Sequence, residues 1–411
     1  MDYDSLDLEV APASNGQFSI TARTPAWDTA SAKVTIDLSD LEADLAAIAN
    51  DEYDAEGLEA FGSRLYELLF PTEIAAAFML SLGASRDGGR GLRIRLRICD
   101  ELRTVPWEFL YFQHHIGVDV TTPLARKIDV LAEITPLAVS PPLRVLVVAP
   151  GGSSLNVGDE VDKLDEAFAD IDDVVEMHRM KPPVTTAKLE EALARSNFHV
   201  FHFIGHGRLV DGHGYLTLLD EGGNQLGIQD RVLATLLFNH SIRLAVLSAC
   251  ETGAPGSVAP YLIRAKVPAV VAHQYPIRDS HAALFSQAFY RTLAAGKHVG
   301  RVEAAVAVAR ASLKAHHPNS RVIGTPVVYM RGTGRLFDIP IPTEYQVSLK
   351  QKELDSLVDK DRAIRVFAGP EGPRASDRRD LDQLERRIAE LDAEIDRDRR
   401  RLSTASDTGG T

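Results

Sequence analysis

The spacing of apolar residues changes along the chain, and each change predicts a different kind of element. Over residues 1–38 apolar and polar positions alternate in short stretches: Leu6, Leu8 and Val10, then Phe18 and Ile20, then Val34, Ile36 and Leu38. Asn15-Gly16 and Pro25 separate them. Period two between turn residues predicts half-buried antiparallel strands and a small sheet. Ser39-Asp40 then caps a helical pattern that runs to about Asn50, and residues 55–82 keep helical spacing apart from a break at Pro71. Leu92, Ile94, Leu96 and Ile98 alternate with Arg93, Arg95 and Arg97, which predicts a strand with one wet face. Cys99 falls on its arginine side and reads as a structural bystander.

From Leu143 the grammar becomes one of apolar runs followed by amphipathic stretches. Residues 143–149 (LRVLVVA), 198–204 (FHVFHFI), 242–249 (IRLAVLSA) and 267–272 (VPAVVA) are short, β-rich and apolar on both faces, as strands of a covered parallel sheet must be. Helical patterns at 157–170, 186–195, 229–238 and 258–266 lie between or after them. Alternation of this kind predicts an α/β fold: an open, mostly parallel sheet sandwiched by helices and joined by right-handed crossovers. Helices at 280–295 and 301–316 and a strand at 327–331 would complete it. Residues 214–219 and 224–226, joined through Glu221-Gly222-Gly223, predict a surface hairpin.

Beyond Pro342 the composition shifts. Residues 375–401 are dense in Arg, Asp and Glu, and Leu381, Leu384, Ile388, Leu391, Ile395 and Leu402 form a heptad seam that Asp398 interrupts. Two readings remain open, a solvated helix on its own or self-association through these heptads. The expected organisation is a β-rich and helical N-terminal region over 1–84, a catalytic-type layer over 85–340 with its core at 143–332, and an extension over 341–411 that holds a charged helix at 376–402 and a disordered tail.

The 411 residues suggest about two to three domains. Lys and Arg number 45 against 58 Asp and Glu, a net charge of −13. That sign argues against nucleic acid or an anionic membrane as the main partner, since binding there relies on basic patches that release counterions. Two cysteines exclude a disulfide framework and a multi-cysteine zinc site, and they fit a reducing compartment. No apolar run approaches the ~18 residues of a membrane span. The acidic start MDYDSLDLEV does not read as a signal peptide, so the expected location is the cytoplasm.

Most catalytic motifs are absent. There is no G-x-x-x-x-G-K-[ST], no G-x-S-x-G and no H-E-x-x-H. Gly151-Gly152-Ser153-Ser154 follows a strand but lacks a lysine and reads as a plain loop. His202 and His206 have zinc spacing only on a helix, whereas here they fall on a strand, so no metal and no cofactor is expected.

Two short motifs remain, I-G-H-G at 204–207 and S-A-C-E-T-G at 248–253. Each falls just past the carboxyl end of a predicted parallel strand, where open α/β sheets place their sites. The 44 residues from His206 to Cys250 suffice for one hairpin and one helix, so the two strands can be neighbours. A thiol is mostly protonated at neutral pH and needs an adjacent imidazole to supply thiolate, a role His206 fits. Glycines at 205 and 207 allow a sharp turn and close approach of a substrate backbone. The N–H groups of Gly207 and Cys250 could serve an oxyanion. Taken singly, Cys250 reads as a buried structural thiol and His206 as a satisfied core histidine; their pairing at matching strand ends favours catalysis.

These residues resemble the CHAT domain family of caspase-like cysteine peptidases, related to caspases and separases. The likeness extends through LRIRLRICDELRTVPWEFLY at 92–111, residues 141–149 and GTPVVYMR at 324–331, covering roughly 85–335. The resemblance implies a caspase-like fold with Cys250 as nucleophile, His206 as general base or ion-pair partner, and the Gly207 and Cys250 amides as oxyanion hole. It implies a cysteine endopeptidase acting on a protein substrate without a cofactor, gated by an activating protein partner, in prokaryotic signalling or defence. Against the caspase Q-A-C-R-G signature only Ala249, Cys250 and Gly253 match, the glycine one place late. Glu251 replaces the arginine, which makes it a possible substrate-pocket residue that disfavours acidic P1 side chains; the competing reading has Glu251 cap the following helix. His273-Gln274-Tyr275 stands where such domains often carry Ser-Leu-Trp. The rival functions are a non-catalytic CHAT-like interaction module and, less directly, a thiol amidohydrolase acting on a small molecule.

Overall fold

The computed structural model describes residues 1–128, 134–150, 157–169, 171, 174–249, 252–254, 256–332, 335–340, 343–367 and 375–408. The loop at 151–154 lies outside the described residues. By internal contact the chain divides into two units, Met1–Ile339 and Pro340–Thr411.

The first unit is built on one eleven-stranded sheet. Its strands stand in the order Val175–Arg179, Leu143–Val148, Val200–Gly205, Leu244–Ala249, Ala269–His273, Pro326–Met330, Leu124–Lys127, Gly91–Ile98, Tyr3–Pro12, Phe18–Arg23 and Ala30–Val34. Neighbours run parallel except at Ala269–His273 with Pro326–Met330 and at the two pairings of the N-terminal strands Tyr3–Pro12, Phe18–Arg23 and Ala30–Val34 with one another. The fold is therefore the expected mixed α/β sheet flanked by helices.

Alternation along the strands decides what covers each face. Leu146, Val148, Phe201, Phe203, Ala245 and Leu247 form one core with Leu189, Leu193, Leu233, Leu237, Leu262 and Ile263 from the helices Thr186–Arg195, Asp230–Asn239 and Val258–Arg264. His202, between Phe201 and Phe203, meets the opposite layer, where Tyr290 of the helix Asp279–Ala294 bonds to it. The helix Val302–His316 packs beside that one.

The N-terminal strands do not form a small sheet of their own. Tyr3–Pro12 pairs in parallel with Gly91–Ile98, setting Leu6 opposite Ile94 and Leu8 opposite Leu96, and these leucines and isoleucines share a core with Leu58, Phe61, Leu65, Ile74 and Phe78. The helices Ala55–Leu69 and Thr72–Asp87 that supply those residues are bent by 103° at the Pro71 break. Among the described residues no single helix is long and apolar enough to cross a membrane. Hydrogen bonding and burial thus run without interruption across residue 84.

The arginine face of Gly91–Ile98 is drier than its pattern implies. Arg93 is buried and donates to Glu303 at 2.8 Å, while Arg95 and Arg97 lie in register with Asp7 and Glu9 and pair with them at 2.7 Å. Like-signed side chains tolerate this spacing because each meets a carboxylate from the adjacent strand or helix. Cys99 packs against the apolar core rather than among the arginines.

The hairpin after His206 has three strands, Gly207–Val210, His213–Leu219 and Gln225–Gln229, one more than its pattern suggests. Leu216, Leu218 and Ile228 bury its inner face in the core of Phe201, Phe203 and Leu247.

In the second unit the helices Thr343–Phe367 and Ala375–Thr408 run antiparallel. Leu354 packs with Leu391 and Ile395, Lys350 meets Glu394 at 3.0 Å and Asp398 at 2.8 Å, and Arg365 meets Glu385 at 2.5 Å. Ile388, Leu391 and Ile395 of the seam are thus met by the helix Thr343–Phe367 within the chain, so the helix is not a lone one. Asp398 interrupts the apolar seam because it answers Lys350. The tail expected to be disordered after 402 is helical to Thr408.

Candidate active site

Two strands bring the motifs together. Val200–Gly205 and Leu244–Ala249 are parallel neighbours, with Ile204 opposite Ser248 and Gly205 opposite Ala249. His206 and Cys250 are the next residue of each chain segment. Cys250 and Glu251 lie outside the described residues; what the structure gives is the scaffold on either side of them.

His206 is half-buried at the turn between Gly205 and the hairpin. Its carbonyl accepts the Thr217 N–H at 2.9 Å, which fixes the backbone, and among the described residues no hydrogen bond engages its imidazole. Gly207 opens the next strand opposite Leu216. Because alternate residues of an antiparallel ladder turn their N–H groups toward and away from the partner strand, the bond to His206 leaves the Gly207 N–H on the free side.

The segment after Cys250 is held at several points that the motif alone does not explain. Thr252 Oγ1 donates to the carbonyls of Ala249 at 2.9 Å and Leu247 at 3.3 Å, which closes the strand end. Its own carbonyl accepts from Ser257 Oγ at 2.6 Å and from the Ala259 N–H at 3.0 Å. Gly253 donates to the His273 carbonyl at 2.9 Å, and a Cβ at this position would stand 2.4 Å from Val327 Cγ1 and 3.1 Å from the His273 carbonyl carbon. A glycine is required here by contact. Gly214 of the hairpin is equally confined, since its Cβ would meet the Val258 nitrogen at 2.5 Å. The hairpin that follows His206 therefore abuts the segment that follows Cys250.

Behind this segment lies a buried polar network. Arg126 grips Glu108 with two hydrogen bonds of 2.8 and 2.7 Å, and Gln274 Nε2 donates to Glu108 at 2.9 Å and to the Gly324 carbonyl at 2.7 Å. Burial alone would raise the Glu108 carboxyl, yet the Arg126 guanidinium and these donors hold it below the usual carboxylate range. Tyr329 extends the network to the site, its hydroxyl donating to the Gly253 carbonyl at 2.8 Å. Gln274 and Tyr275 are thereby part of the support: Tyr275 packs against the core of Leu58, Phe61 and Leu65, and Arg321 lies 5.3 Å from its ring.

Beneath the strand ends on the other face sit two buried histidines. His202 Nδ1 is 3.1 Å from the Tyr290 hydroxyl. Burial, and then the charge of neighbouring His273, pushes its pKa down to about 3, and burial pushes His273 down to about 4. Both are neutral at physiological pH. His202 Nε2 and His273 Nδ1 have no partner among the described residues.

Cys99 differs from a reactive thiol. It is partly buried, and burial followed by the nearby Glu101 pushes it up to about 11. A low thiolate fraction makes it a poor nucleophile.

Residues 59–346 match the model of the CHAT domain family. No curated protein matches the chain. Two solved structures of the Saccharomyces cerevisiae separase–securin complex, at 2.6 and 3.0 Å, are similar to it with TM-scores of 0.49 and 0.48 and identities of 12% and 11%. In each case the match covers 80% of this chain and 30% of the matched one, so this chain spans under a third of that length.

Proposed function

The chain belongs to the CHAT domain family, and from that premise we propose that it is a cysteine endopeptidase with a Cys250–His206 dyad. The observation that supports the reading is the register of Gly205 opposite Ala249, the residues that precede His206 and Cys250 in the sequence. The imidazole of His206, free of other hydrogen bonds among the described residues, takes the thiol proton. The Cys250 sulfur attacks the scissile carbonyl, and the amides of Gly207 and Cys250 receive the oxyanion. His206 returns the proton to the leaving amine as the C–N bond breaks, and water resolves the thioester to release the acid and restore the thiol. None of these steps needs a cofactor.

A protein substrate, control by an activating partner, and a cytoplasmic setting in prokaryotic signalling or defence belong to the same proposal and are supported by the family. Glu251 enters as a pocket residue. The helix that follows starts at Val258 with Ser257 at its cap, so Glu251 is six residues upstream of that cap and outside its first turn in sequence. This supports a pocket role over the capping role.

The test is cleavage of the protein substrate by wild type, Cys250→Ala, His206→Ala and Cys99→Ala. The first two are expected to lose activity with an unchanged fold, and the third to keep it. Wild-type turnover by Cys250→Ala would refute the assignment.

A further inference from the structure

On the sheet face behind residues 252–257, where the two apolar cores meet, lies a cavity of about 290 Å³. Five cationic side chains line it: Arg97, Arg103, Arg126, Lys127 and Arg264. None of its described lining residues is acidic. Four of the cations have carboxylate partners outside the lining: Glu9 for Arg97 at 2.7 Å, Asp100 for Arg103 at 2.5 Å, Asp7 for Lys127 at 3.9 Å and Glu108 for Arg126 at 2.7 Å. Arg264, the last residue of the helix Val258–Arg264, is exposed and has no ion pair among the described residues.

In a chain of net charge −13, five cations line one concave surface, and Arg264 among them carries its charge without an ion pair among the described residues. Guanidinium forks match the geometry of phosphate oxygens and bind them through charge-assisted hydrogen bonds. The volume sits at the low end of the ~300–1,000 Å³ range of small-ligand pockets, which suits a compact molecule rather than a polymer. Two further lining residues join the cavity to the segment after Cys250. Gly256 belongs to that segment and holds a left-handed φ of 80°, and Tyr329 donates to the Gly253 carbonyl at 2.8 Å.

We propose that this cavity binds a small, multiply charged phosphate-bearing molecule and that its occupancy further stabilises residues 252–254 and 256–257. Binding itself is independent of the peptidase reading; only its consequence for turnover rests on that reading. The ligand's oxygens would be held by the unpaired Arg264 with Lys127 and Arg103, while Tyr329 and Gly256 pass the change to the segment that continues from Cys250.

Calorimetric titration of the full chain with inorganic tripolyphosphate tests this at fixed ionic strength. Saturable binding of one molecule per chain is expected, weakened about tenfold or more in Arg264→Gln and in Lys127→Gln. Both side chains lie outside the core, and Arg195→Gln, at an exposed position on the helix Thr186–Arg195 away from the cavity lining, is expected to bind as wild type does. Hydrogen exchange of residues 252–257 is expected to slow on addition of tripolyphosphate in wild type alone. Absence of saturable binding, equal binding by citrate, or unchanged affinity in both cavity variants would overturn the site. Binding without protection of 252–257 would overturn the coupling. Loss of peptidase activity in Cys250→Ala would leave all of these readouts in place.

Discussion

The hydroxyl of Tyr329 donates to the carbonyl of Gly253 at 2.8 Å, and the same ring lies 5.8 Å from the guanidinium of Arg126. A residue three places after Cys250 is thus tied to the buried Glu108–Arg126 pair through one side chain. This support fixes the segment past the strand end at Ala249, because loops have little structure of their own unless a scaffold holds them.

Gly253 is the tightest point of that scaffold. Gly253→Ala should destabilise the chain by about 1–3 kcal/mol through overpacking against Val327, and should displace the segment after Cys250. Combining it with Val327→Ala should return part of the thermal midpoint and of the activity. Equal activity of wild type and Gly253→Ala would show that the contact is relieved at no functional expense.

Glu108→Gln keeps the shape of the side chain but leaves the Arg126 charge buried and unmatched. Removing one partner of such a pair costs about 3–5 kcal/mol. Urea unfolding should show a loss in that range, with a parallel fall in activity because Gln274 and Tyr329 share the network. A loss within error of zero would mean that the network does not hold the site.

The sheet was legible from residues 143–149, 198–204, 242–249 and 267–272 because a strand covered on both faces must be apolar at consecutive positions. The edge strand Val175–Arg179 was not, since Glu176, His178 and Arg179 give it a polar pattern. Leu124–Lys127 escaped because its Arg126 reads as exposed and becomes buried only when Glu108 meets it. The long helix Thr343–Phe367 shows too few apolar residues to signal its packing with Leu391 and Ile395. At the candidate site, the neighbouring strand ends at Gly205 and Ala249 could be read from sequence because short local grammar marks both. The Gln274–Glu108 bond joins residues 166 apart, and the Tyr329–Gly253 bond joins residues 76 apart. No local pattern encodes such partnerships; Glu108 left only its place in the segment 92–111 that carries the family resemblance.

Acid should destabilise the protein through its buried histidines. His202 and His273 titrate at about 3 and about 4 in the fold, against an ordinary 6.5, and burial holds His115 at about 4 as well. Their contribution is complete above about pH 6.5. As the pH falls below that, the unfolded chain takes up protons the folded one cannot, and stability declines until the folded values are reached, by up to about 1.4 kcal/mol per pH unit for each group. Urea midpoints measured from about pH 7 to about pH 5 should fall, and His202→Gln should make the fall shallower. A midpoint independent of pH across that window would contradict the burial of these rings.

Substrate preference should follow Glu251. A carboxylate in the pocket disfavours an acidic P1 side chain by repulsion and desolvation and accepts a basic or neutral one. A peptide library varied at P1 should give basic or neutral residues for wild type, with the basic preference reduced in Glu251→Gln. Selection of P1 aspartate by the wild type would remove the charge argument, and an unchanged basic preference in the variant would assign selectivity to another acidic residue.

The dyad itself is tested most directly by labelling with a peptide electrophile and mapping the modified cysteine by mass spectrometry. Wild type is expected to react at Cys250 and not at Cys99, whose thiol burial pushes up to about 11. His206→Ala should lower the labelling rate of Cys250 by about 100-fold or more while leaving Cys99 unchanged. Equal labelling of the two cysteines, or a Cys250 rate that does not depend on His206, would contradict the account.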